Sequence, residues 1–509
     1  CAIIASPTNA DSIIIGGLNT WRSNDGGATF TSVSGYIGGP FNMHVDNQDF
    51  RVINNTTWLT TDGGIYKSTD FVSTQPVSKM NGVHGGDFWG FGSGWNEDVL
   101  VGGQYHNGNV AHHENYGPGN FLELGGGEAP TGYVNPGNNR KTYYSDISGK
   151  IIPYNFNDPV SNFTSGMSPN ESYYAAESSE MEFHPNCYSV AFVGNENKLW
   201  KSVDGGGSYN LLKEFGTTAA DKLGQFEIAS SNPDVMYVHQ RNSTNVGKLW
   251  KTTNGGVLWN QLTIPAGNSR LLLIAVNPEN ENIVWIAYPN GSNGNKVYES
   301  IDGGLTWTNI SSPALNNEFL QSLIHIAGTD KGLYLGTSKA VFYRNATTPW
   351  TIENGGLPTY ISTTSLKPFY KTGKIRMASY GKGMWQSNLK EAPNKPICRI
   401  TVDKLAQTVF CAQDSFHFED YSFLNHTNAT WSWQFPTGSP QTSSLRNPAV
   451  LFPNPGNHLA ILTITDQTGQ TDSDTLIIQT NNFVAPSFIS EGFEGQFVPT
   501  GWYLSNESG

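Results

Sequence analysis

Residues 42–50, NMHVDNQDF, hold one imidazole and two carboxylates close together. On a strand, side chains two residues apart share a face, so His44 and Asp46 would point the same way, with Asp49 nearby. An inverting glycoside hydrolase uses two carboxyl groups that face each other about 6.5–9.5 Å apart. Asp46 and Asp49 are therefore the candidate catalytic residues, although no second carboxylate pairs with them by spacing. We favour a hydrogen-bonded strand beside a channel, in which His44 is a candidate ligand contact.

Two further stretches carry side chains suited to touching a ligand. In DFWGFGSGWNED, residues 87–98, the flat rings of Trp89 and Trp95 suit stacking on sugars, and packing between strands explains them equally well. In GGQYHNGNVAHHEN, residues 102–115, His106 is a candidate ligand contact. The adjacent His112 and His113 would face opposite sides of a strand, so the sequence predicts no metal site.

The elements that position these side chains are marked by an eight-residue repeat, SIDGGLTW in its fullest form at residues 300–307. Its Asp can accept backbone N–H bonds across a tight turn, its glycines supply positive φ, and its aromatic residue buries a large apolar face. Asn in place of Asp keeps the acceptor oxygen, whereas a catalytic carboxylate would not tolerate that exchange. The repeat therefore predicts structural hairpins. Its positions are Ser23, Asp25, Gly27 and Phe30; Ser202, Asp204, Gly206 and Tyr209; Thr252, Asn254, Gly256 and Trp259; and Ser300, Asp302, Gly304 and Trp307.

The octet matches the pattern S-x-D-x-G-x-x-W, the Asp box, and its later copies recur about every 50 residues, as propeller blades do. Residues 1–390 resemble the sortilin-like Asp-box (BNR) β-propellers of secreted Bacteroidetes proteins and, more distantly, the sialidases and family 74 xyloglucanases. Eight or nine blade-like units can be counted along these residues, and the resemblance implies that the boxes lie on peripheral turns with the ligand on the opposite face. It also implies export by the type IX secretion system. Because the first unit lacks a beginning, we expect the propeller to extend upstream.

Composition bounds the remaining possibilities. Charged residues make up 14% of the 509, aromatic residues 12%, and 56 residues are Gly, which favours an all-β fold of short strands and tight turns. The net charge is −13 and no basic cluster occurs, so a nucleic-acid partner is not expected. No apolar run of about 18 residues is present, so no segment is predicted to span a membrane. The length suggests two or three domains.

The C-terminal part changes character after a Pro-containing linker at 391–397. Residues 398–482 resemble a PKD domain, an immunoglobulin-like sandwich that usually serves as a spacer or adhesion unit. Residues 483–509 resemble the first strand of a jelly-roll adhesin module that is truncated here.

The four cysteines are too few for a disulfide scaffold, but Cys398 and Cys411 lie close enough in sequence to pair in an oxidising space. Ser12 and Thr475 fit the short O-glycosylation pattern of Bacteroidetes, which the resemblance brings with it. No cofactor is predicted, and calcium binding by the sandwich loops stays open.

The predicted protein is all-β, a multi-bladed β-propeller followed by an immunoglobulin-like PKD sandwich. We expect a secreted or outer-surface binding or adhesion protein that presents its propeller to a protein or polysaccharide ligand and uses the PKD domain as a spacer. Secretion or surface-anchoring machinery would be a further partner. The alternative is a glycoside hydrolase of the xyloglucanase-like propeller type acting on β-glucans. The two hypotheses differ in whether two carboxylates face each other in an open groove lined by aromatic side chains.

Overall fold

The computed structural model describes residues 2–81, 83, 85–104, 107–125, 132–144, 149–163, 180–218, 221–241, 247–267, 271–407 and 415–480. Regular structure in these ranges is almost all β-strand, with short 3-10 turns at Glu114–Tyr116, Pro313–Leu315 and Tyr370–Thr372. In the described part of the chain no helix has the length and hydropathy to cross a membrane.

Before the linker, the described strands form nine successive antiparallel sheets, which we number as blades 1 to 9. Blades 1 and 2 consist of β1 (Ala2–Ala5), β2 (Ile13–Gly16), β3 (Thr20–Ser23) and β4 (Thr31–Ser34), then β5 (Asn47–Ile53), β6 (Thr56–Thr61), β7 (Gly64–Ser68) and β8 (Val77–Ser78). Blades 3 and 4 consist of β9 (Phe88–Ser93), β10 (Val99–Gln104), β11 (Gly108–His113) and β12 (Leu122–Gly125), then β13 (Gly132–Val134), β14 (Lys141–Tyr144), β15 (Gly149–Ile151) and β16 (Ser161–Asn162).

The later blades follow the same order. Blades 5 and 6 consist of β17 (Met181–His184), β18 (Cys187–Asn195), β19 (Lys198–Ser202) and β20 (Asn210–Glu214), then β21 (Leu223–Ile228), β22 (Met236–Gln240), β23 (Lys248–Thr252) and β24 (Asn260–Leu262). Blades 7 and 8 consist of β25 (Leu273–Asn277), β26 (Asn280–Ala287), β27 (Val297–Ser300) and β28 (Thr308–Asn309), then β29 (Leu320–His325), β30 (Leu333–Thr337), β31 (Val341–Arg344) and β32 (Thr351–Ile352). Blade 9 has three described strands, β33 (Ser362–Phe369), β34 (Lys374–Tyr380) and β35 (Met384–Asn388).

In blades 5 to 9 most of the second strand is buried on both faces because a neighbouring blade packs on each side. In β26 the side chains from Val284 to Ala287 are fully buried, and Trp285 is among the largest of them. Such a strand has a continuous apolar run instead of an alternating pattern. Burying each large side chain contributes about 1.5–3 kcal/mol.

Blades 3 to 9 form a closed ring, which we call the seven-blade ring. Blade 9 packs directly on blade 3, where the Thr364 hydroxyl donates to the Phe88 carbonyl at 2.7 Å. Arg376 of blade 9 forms an ion pair with Asp98 of blade 3. The fold is therefore all-β and contains a multi-bladed β-propeller, as predicted.

Blades 1 and 2 lie outside the seven-blade ring and pack on each other. Ile14, Phe50 and Leu59 are buried in the core that they share. Because β9 already contacts β33 and β34, no place remains between blades 9 and 3 for another blade. The nine sheets of residues 2–388 are thus a two-blade arc followed by the seven-blade ring.

The C-terminal sandwich begins after the linker, and its core contains Phe418, Trp433 and Leu462, each at most 1% exposed. One layer is formed by β36 (Ile400–Val402), β38 (Phe416–Asp420) and β41 (Ala449–Val450). The other is formed by β37 (Ala406–Gln407), β39 (Thr430–Gln434), β40 (Thr442–Ser443), β42 (Gly456–Thr465) and β43 (Thr471–Thr480).

Candidate functional site

The axis of the seven-blade ring is a channel with a volume of about 770 Å³. Within the described residues, every innermost strand of the ring contributes to its wall. The contributing side chains include Trp89 and Phe91 (β9), Tyr133 (β13), Glu182 (β17), Glu227 (β21), Leu273 (β25), Leu323 (β29) and Lys367 (β33). The channel lies within the range of roughly 300–1,000 Å³ that is usual for ligand sites.

The channel opens on the face where the innermost strands begin. Trp89, Phe319 and Tyr380 line this mouth and are 38%, 37% and 45% exposed. Pro289 and Arg241 follow the second strands of blades 7 and 6 and also line the channel. Flat aromatic faces next to polar side chains suit a ligand that has both apolar faces and hydrogen-bonding groups.

Three glutamates from two neighbouring blades line the channel: Glu180 and Glu182 of blade 5 and Glu227 of blade 6. Burial raises the pKa of each carboxyl group, and the mutual repulsion of the carboxylates raises the pKa of Glu182 and Glu227 further. The Lys367 ammonium across the channel opposes these increases. Gln225 donates its side-chain amide to Glu227 at 3.0 Å. This cluster can accept hydrogen bonds and, where protonated, can donate them.

The other end of the channel is covered by the C-terminal sandwich, which contacts the turns after the innermost strands of blades 3, 5, 7 and 9. Because these blades are spaced around the ring, a domain that touches all four lies across the axis. The contacts are Trp95 Nε1 to the Ser422 carbonyl (3.2 Å), Val402 N–H to the Asn186 carbonyl (3.2 Å), Arg399 Nη2 to the Pro278 carbonyl (2.5 Å) and His426 N–H to the Lys371 carbonyl (3.1 Å).

Trp95 lies in this interdomain contact and not at the open mouth. Its ring centroid is 4.4 Å from that of Tyr421 and 5.3 Å from that of Phe423. The turn that presents it is held by Asn139 of blade 4, whose Oδ1 accepts the backbone N–H groups of Trp95, Asn96 and Glu97 at 2.5–3.0 Å. Its interdomain packing, and not sugar stacking, accounts for this residue.

Tyr421 of the sandwich lies in the loop that packs on Trp95. Asp420 and Ser422 on either side of it are fully buried, whereas Tyr421 keeps part of its surface exposed. Burial raises the pKa of the Tyr421 hydroxyl, and the charges of Glu182 and Glu227 raise it further. Because the sandwich spans the turns of four blades, the channel is a pocket with one entrance.

Another carboxyl group, that of Glu419, is partly buried where the domains meet. Burial raises the pKa of Glu419 to about 8, Asp420 and Glu97 add to the increase, and Arg446 opposes it. Asn96 Nδ2 lies 3.4 Å from Glu419 Oε2 and donates to the Asp420 carbonyl at 2.8 Å. The interface thus contains a carboxyl group that is easily kept neutral.

The predicted group around His44 lies in blade 2 of the arc, away from the channel. β5 begins at Asn47, so His44 and Asp46 precede the strand, and Asp46 has a left-handed φ of 61°. The expected side-by-side arrangement on one strand is therefore absent. Asp49 is exposed and pairs with Arg51 at 2.7 Å.

Of the other predicted contacts, Trp89 lines the channel, whereas His106 lies outside the described residues. His113 Nε2 is 2.8 Å from Glu97 Oε2, and His112 packs against Phe121. Among the described residues no three His, Cys, Asp or Glu side chains are arranged to hold a metal ion.

The Asp boxes occupy the turns between the third and fourth strands of their blades. In blade 7, Asp302 Oδ1 accepts the Ser300 hydroxyl at 2.7 Å and the Thr306 N–H at 2.9 Å, while Ser300 Oγ accepts the Gly304 N–H at 2.8 Å. Blades 1 and 5 repeat these bonds with Ser23, Asp25 and Gly27 and with Ser202, Asp204 and Gly206. In blade 6, Thr252, Asn254 and Gly256 make the equivalent bonds at 2.8–3.1 Å.

The aromatic residue of each box packs within its blade or towards the preceding one. Trp307 donates its indole N–H to the Thr263 carbonyl, Trp259 stacks edge-on against Phe215, and Tyr209 packs near Tyr143. Phe30 lies against Gly27 of its own box. Strand parity puts these turns on the face covered by the sandwich, opposite the open mouth.

The remaining predicted positions are the possible disulfide and the two possible O-glycosylation sites, and they differ in exposure. The Cys398 thiol is buried and donates to the Leu462 carbonyl at 3.4 Å, and Cys411 lies outside the described residues, as does 483–509. Ser12 is 6% exposed and accepts a bond from Asn9, whereas Thr475 is exposed on β43.

Sequence reasoning did not find the channel glutamates. The signal that could have found them is a carboxylate within an apolar first strand: EMEFHPN at residues 180–186 and QFEIASSNP at residues 225–233 each place Glu shortly before the turn. A charged residue in such a strand indicates a water-filled space beside it.

Residues 400–478 match the PKD domain family model. A search of curated proteins finds no match to the chain. Among solved structures, the extracellular domain of BT4673 from B. thetaiotaomicron aligns with 94% of this chain and 69% of its own at 12% identity and a TM-score of 0.44. YCF48 from Cyanidioschyzon merolae aligns with 76% of this chain and 94% of its own at 8% identity and a TM-score of 0.32. The PKD1 domain of Vibrio anguillarum Epp aligns with 17% of this chain and 95% of its own at 22% identity and a TM-score of 0.15.

Proposed function

We propose that this chain is an extracellular binding protein whose seven-blade ring takes a polysaccharide or protein ligand at the open mouth of its channel. The observation that carries the proposal is the single channel formed by all the innermost strands of the ring, open on one face and lined there by Trp89, Phe319 and Tyr380. Rigid strands that converge on one cavity hold binding groups in place without ordering a loop, which lowers the entropic cost of binding.

The PKD domain in this proposal is a cap on the ring, in addition to any role as a spacer. Its hydrogen bonds to four blades support that role. We further propose that the protein is related to the sortilin-like Asp-box propellers of Bacteroidetes and is secreted or held at the outer surface, with the type IX machinery as its export route. The Asp-box bonding pattern and the PKD match support this placement.

One observation favours glycoside hydrolysis as a second candidate. Burial and mutual repulsion raise the pKa of the Glu182 and Glu227 carboxyl groups, and a carboxyl group kept protonated can serve as a general acid. The sandwich closes one end of the channel, however, so a β-glucan chain cannot pass through it. That argues against cleavage within a chain, and the aromatic side chains that line the mouth make binding our first proposal.

The test is retention of the purified full chain on a panel of immobilised polysaccharides and purified surface proteins. Trp89→Ala and Tyr380→Ala are expected to reduce binding at least tenfold, and the control Tyr36→Ala, an equally large change at a 73% exposed side chain of the arc, is expected to leave it unchanged. Binding that none of these changes affects would place the ligand elsewhere. Release of reducing ends that Glu182→Gln abolishes would establish the hydrolase.

A further inference from the structure

Two walls of the channel are apolar and face each other across its axis. Blades 7 and 8 form one of them with the half-buried side chains of Leu271, Leu273 and Ile324. Blades 3 and 4 form the other with the rings of Trp89 and Tyr133. Because blades 3 and 4 lie opposite blades 7 and 8 in the seven-blade ring, an occupant of the channel meets aliphatic side chains on one side and aromatic rings on the other.

The other two walls are polar and also face each other. Blades 5 and 6 carry the Glu182 and Glu227 carboxyl groups and, nearer the mouth, the Arg241 guanidinium. Blade 9 lies opposite them and carries the Lys367 ammonium and the Ser365 hydroxyl. Both polar walls therefore offer donors, and their carboxyl and hydroxyl oxygens offer acceptors. This mixed set favours an occupant that itself presents donors and acceptors along two opposite edges.

An extended polypeptide has the same fourfold arrangement. Its side chains point alternately to two opposite faces, and its backbone N–H and C=O groups point to the two edges between those faces. Apolar side chains would then lie against the aliphatic and aromatic walls, while the backbone edges reach the polar walls. A strand enclosed on both faces in this way has a continuous apolar run instead of an alternating pattern.

A saccharide suits the aliphatic wall less well. The apolar faces of its rings pack on flat aromatic rings, but almost every ring carbon carries a hydroxyl group. Against Leu271, Leu273 and Ile324 those hydroxyl groups would lose water without gaining a hydrogen-bond partner, which costs free energy. Apolar side chains gain free energy from the same contact.

The covered end of the channel limits how an occupant enters. The PKD domain lies across the turns that follow the innermost strands, so a chain terminus has to enter first. The innermost strand β29, Leu320–His325, is six residues long. An extended segment that lies along it would contain about five to six residues.

We propose that the channel binds the terminal segment of a polypeptide in an extended conformation, with apolar side chains held between the two apolar walls. This proposal rests on the proposed function and narrows its ligand from a polysaccharide or protein to a polypeptide terminus. The polar walls carry groups that suit an ammonium and groups that suit a carboxylate, so the experiment uses both kinds of terminus.

Random heptapeptides displayed on phage are selected on the immobilised full chain, with free amino termini in one library and free carboxyl termini in the other. We expect enriched sequences to hold at least about three consecutive apolar residues near the free end, since successive side chains meet opposite apolar walls. Synthetic copies should bind at one site per chain in calorimetry, and Trp89→Ala should weaken this binding at least about tenfold. A folded protein fused to the free terminus should abolish it.

Position 324 tests the aliphatic wall with two side chains of nearly equal shape. Valine carries a methyl group where threonine carries a hydroxyl, so Ile324→Thr should bind the peptides at least about fivefold more weakly than Ile324→Val. Ile352→Thr is the control and should leave binding unchanged, because Ile352 is 61% exposed on the outermost strand of the same blade. Near-ultraviolet circular dichroism of the two variants at position 324 is compared, so that a disturbed blade is not mistaken for a lost ligand contact.

Equal affinities of the Ile324→Thr and Ile324→Val chains would overturn the placement of apolar side chains against this wall. Undiminished binding of the fused peptide would overturn entry by a terminus. Failure of both libraries to enrich apolar sequences would overturn the whole inference, and Trp89-dependent binding of cellohexaose or mannohexaose would then leave the proposed function intact with a saccharide ligand. Peptide binding that Trp89→Ala does not affect would contradict both proposals.

Discussion

Removing Asp98 is expected to loosen the seven-blade ring more than removing its partner Arg376. The Arg376 side chain is 3% exposed, and its guanidinium donates to Asp98 at 2.5 Å and to Ser93 at 2.8 Å while lying 3.7 Å from the Phe369 ring centroid. Asp98→Ala leaves a buried cation without its counter-charge, which costs about 3–5 kcal/mol. Arg376→Met leaves a carboxylate that is 32% exposed and can be hydrated, so about 1–2 kcal/mol is expected.

A second ion pair between the same two blades serves as the control. Lys371 of blade 9 lies 3.0 Å from Glu114 of blade 3, with side chains 22% and 40% exposed. Glu114→Ala should cost less than about 1 kcal/mol because water solvates both groups. Glu114 Oε1 also accepts the Asp98 backbone N–H at 3.2 Å, so the contrast compares a more exposed bridge with a buried one within the same group of contacts.

Native-state hydrogen exchange at the amides of β9 and β34 is the suitable assay, because a chain with more than one cooperative unit has no single free energy of unfolding. The opening free energy at these strands should fall in the order Asp98→Ala, Arg376→Met, Glu114→Ala, with the largest loss first. The double variant of Asp98 and Arg376 should lose less than the sum of the single losses. Equal losses in the two single variants, or a larger loss in Arg376→Met, would refute the reasoning.

Three further outcomes are expected. Hydrogen bonds from Thr306 and Ser300 lower the pKa of Asp302 to about 2, so the carboxylate supports its hairpin fully above about pH 4 and loses this effect as the pH falls towards 2. The chemical shift of the Thr306 amide should titrate in that pH range, and Asp302→Asn should abolish the titration. A shift in the unchanged protein that does not vary with pH would contradict this prediction. Trp95→Ala removes a large interdomain side chain, a change that costs about 3–5 kcal/mol in a core. The variant should have a larger radius of gyration in small-angle X-ray scattering and faster protease cleavage in 391–397. An unchanged radius of gyration would argue against this prediction. The pKa of Glu419 is raised to about 8 in the folded protein, so between about pH 4.5 and 8 the unfolded state binds fewer protons than the folded state. The stability of the fold should therefore fall as the pH rises through this range. Glu419→Gln should remove this part of the pH dependence of the thermal midpoint.

The strands and hairpins of this protein are readable from the sequence because their causes are local. The bonds of an Asp box close within eight residues, as between Ser300 and Thr306, so the residue types alone predict the turn. The same locality makes the box robust: in blade 2, Ser68 and Asp70 keep the bonding although Phe71 and Val72 take left-handed φ values of 57° and 59° where other boxes have glycine.

The channel has no such local signal. Glu182 and Glu227 are brought together by neighbouring blades across 45 positions of sequence, and their shared burial, which perturbs both carboxyl groups, does not exist until the blades pack. The point of ring closure is equally non-local, because Phe88 meets Thr364 at a separation of 276 residues.

The sequence by itself determined the blades, their turns and the sandwich, since hydrophobic pattern and turn chemistry act over a few residues. Only the tertiary structure decided that seven of the described blades close a ring, that Trp95 supports the PKD domain, and that this domain covers one end of the channel. Which blade meets which depends on the twist and packing accumulated over the whole ring, and no short stretch of residues encodes that sum.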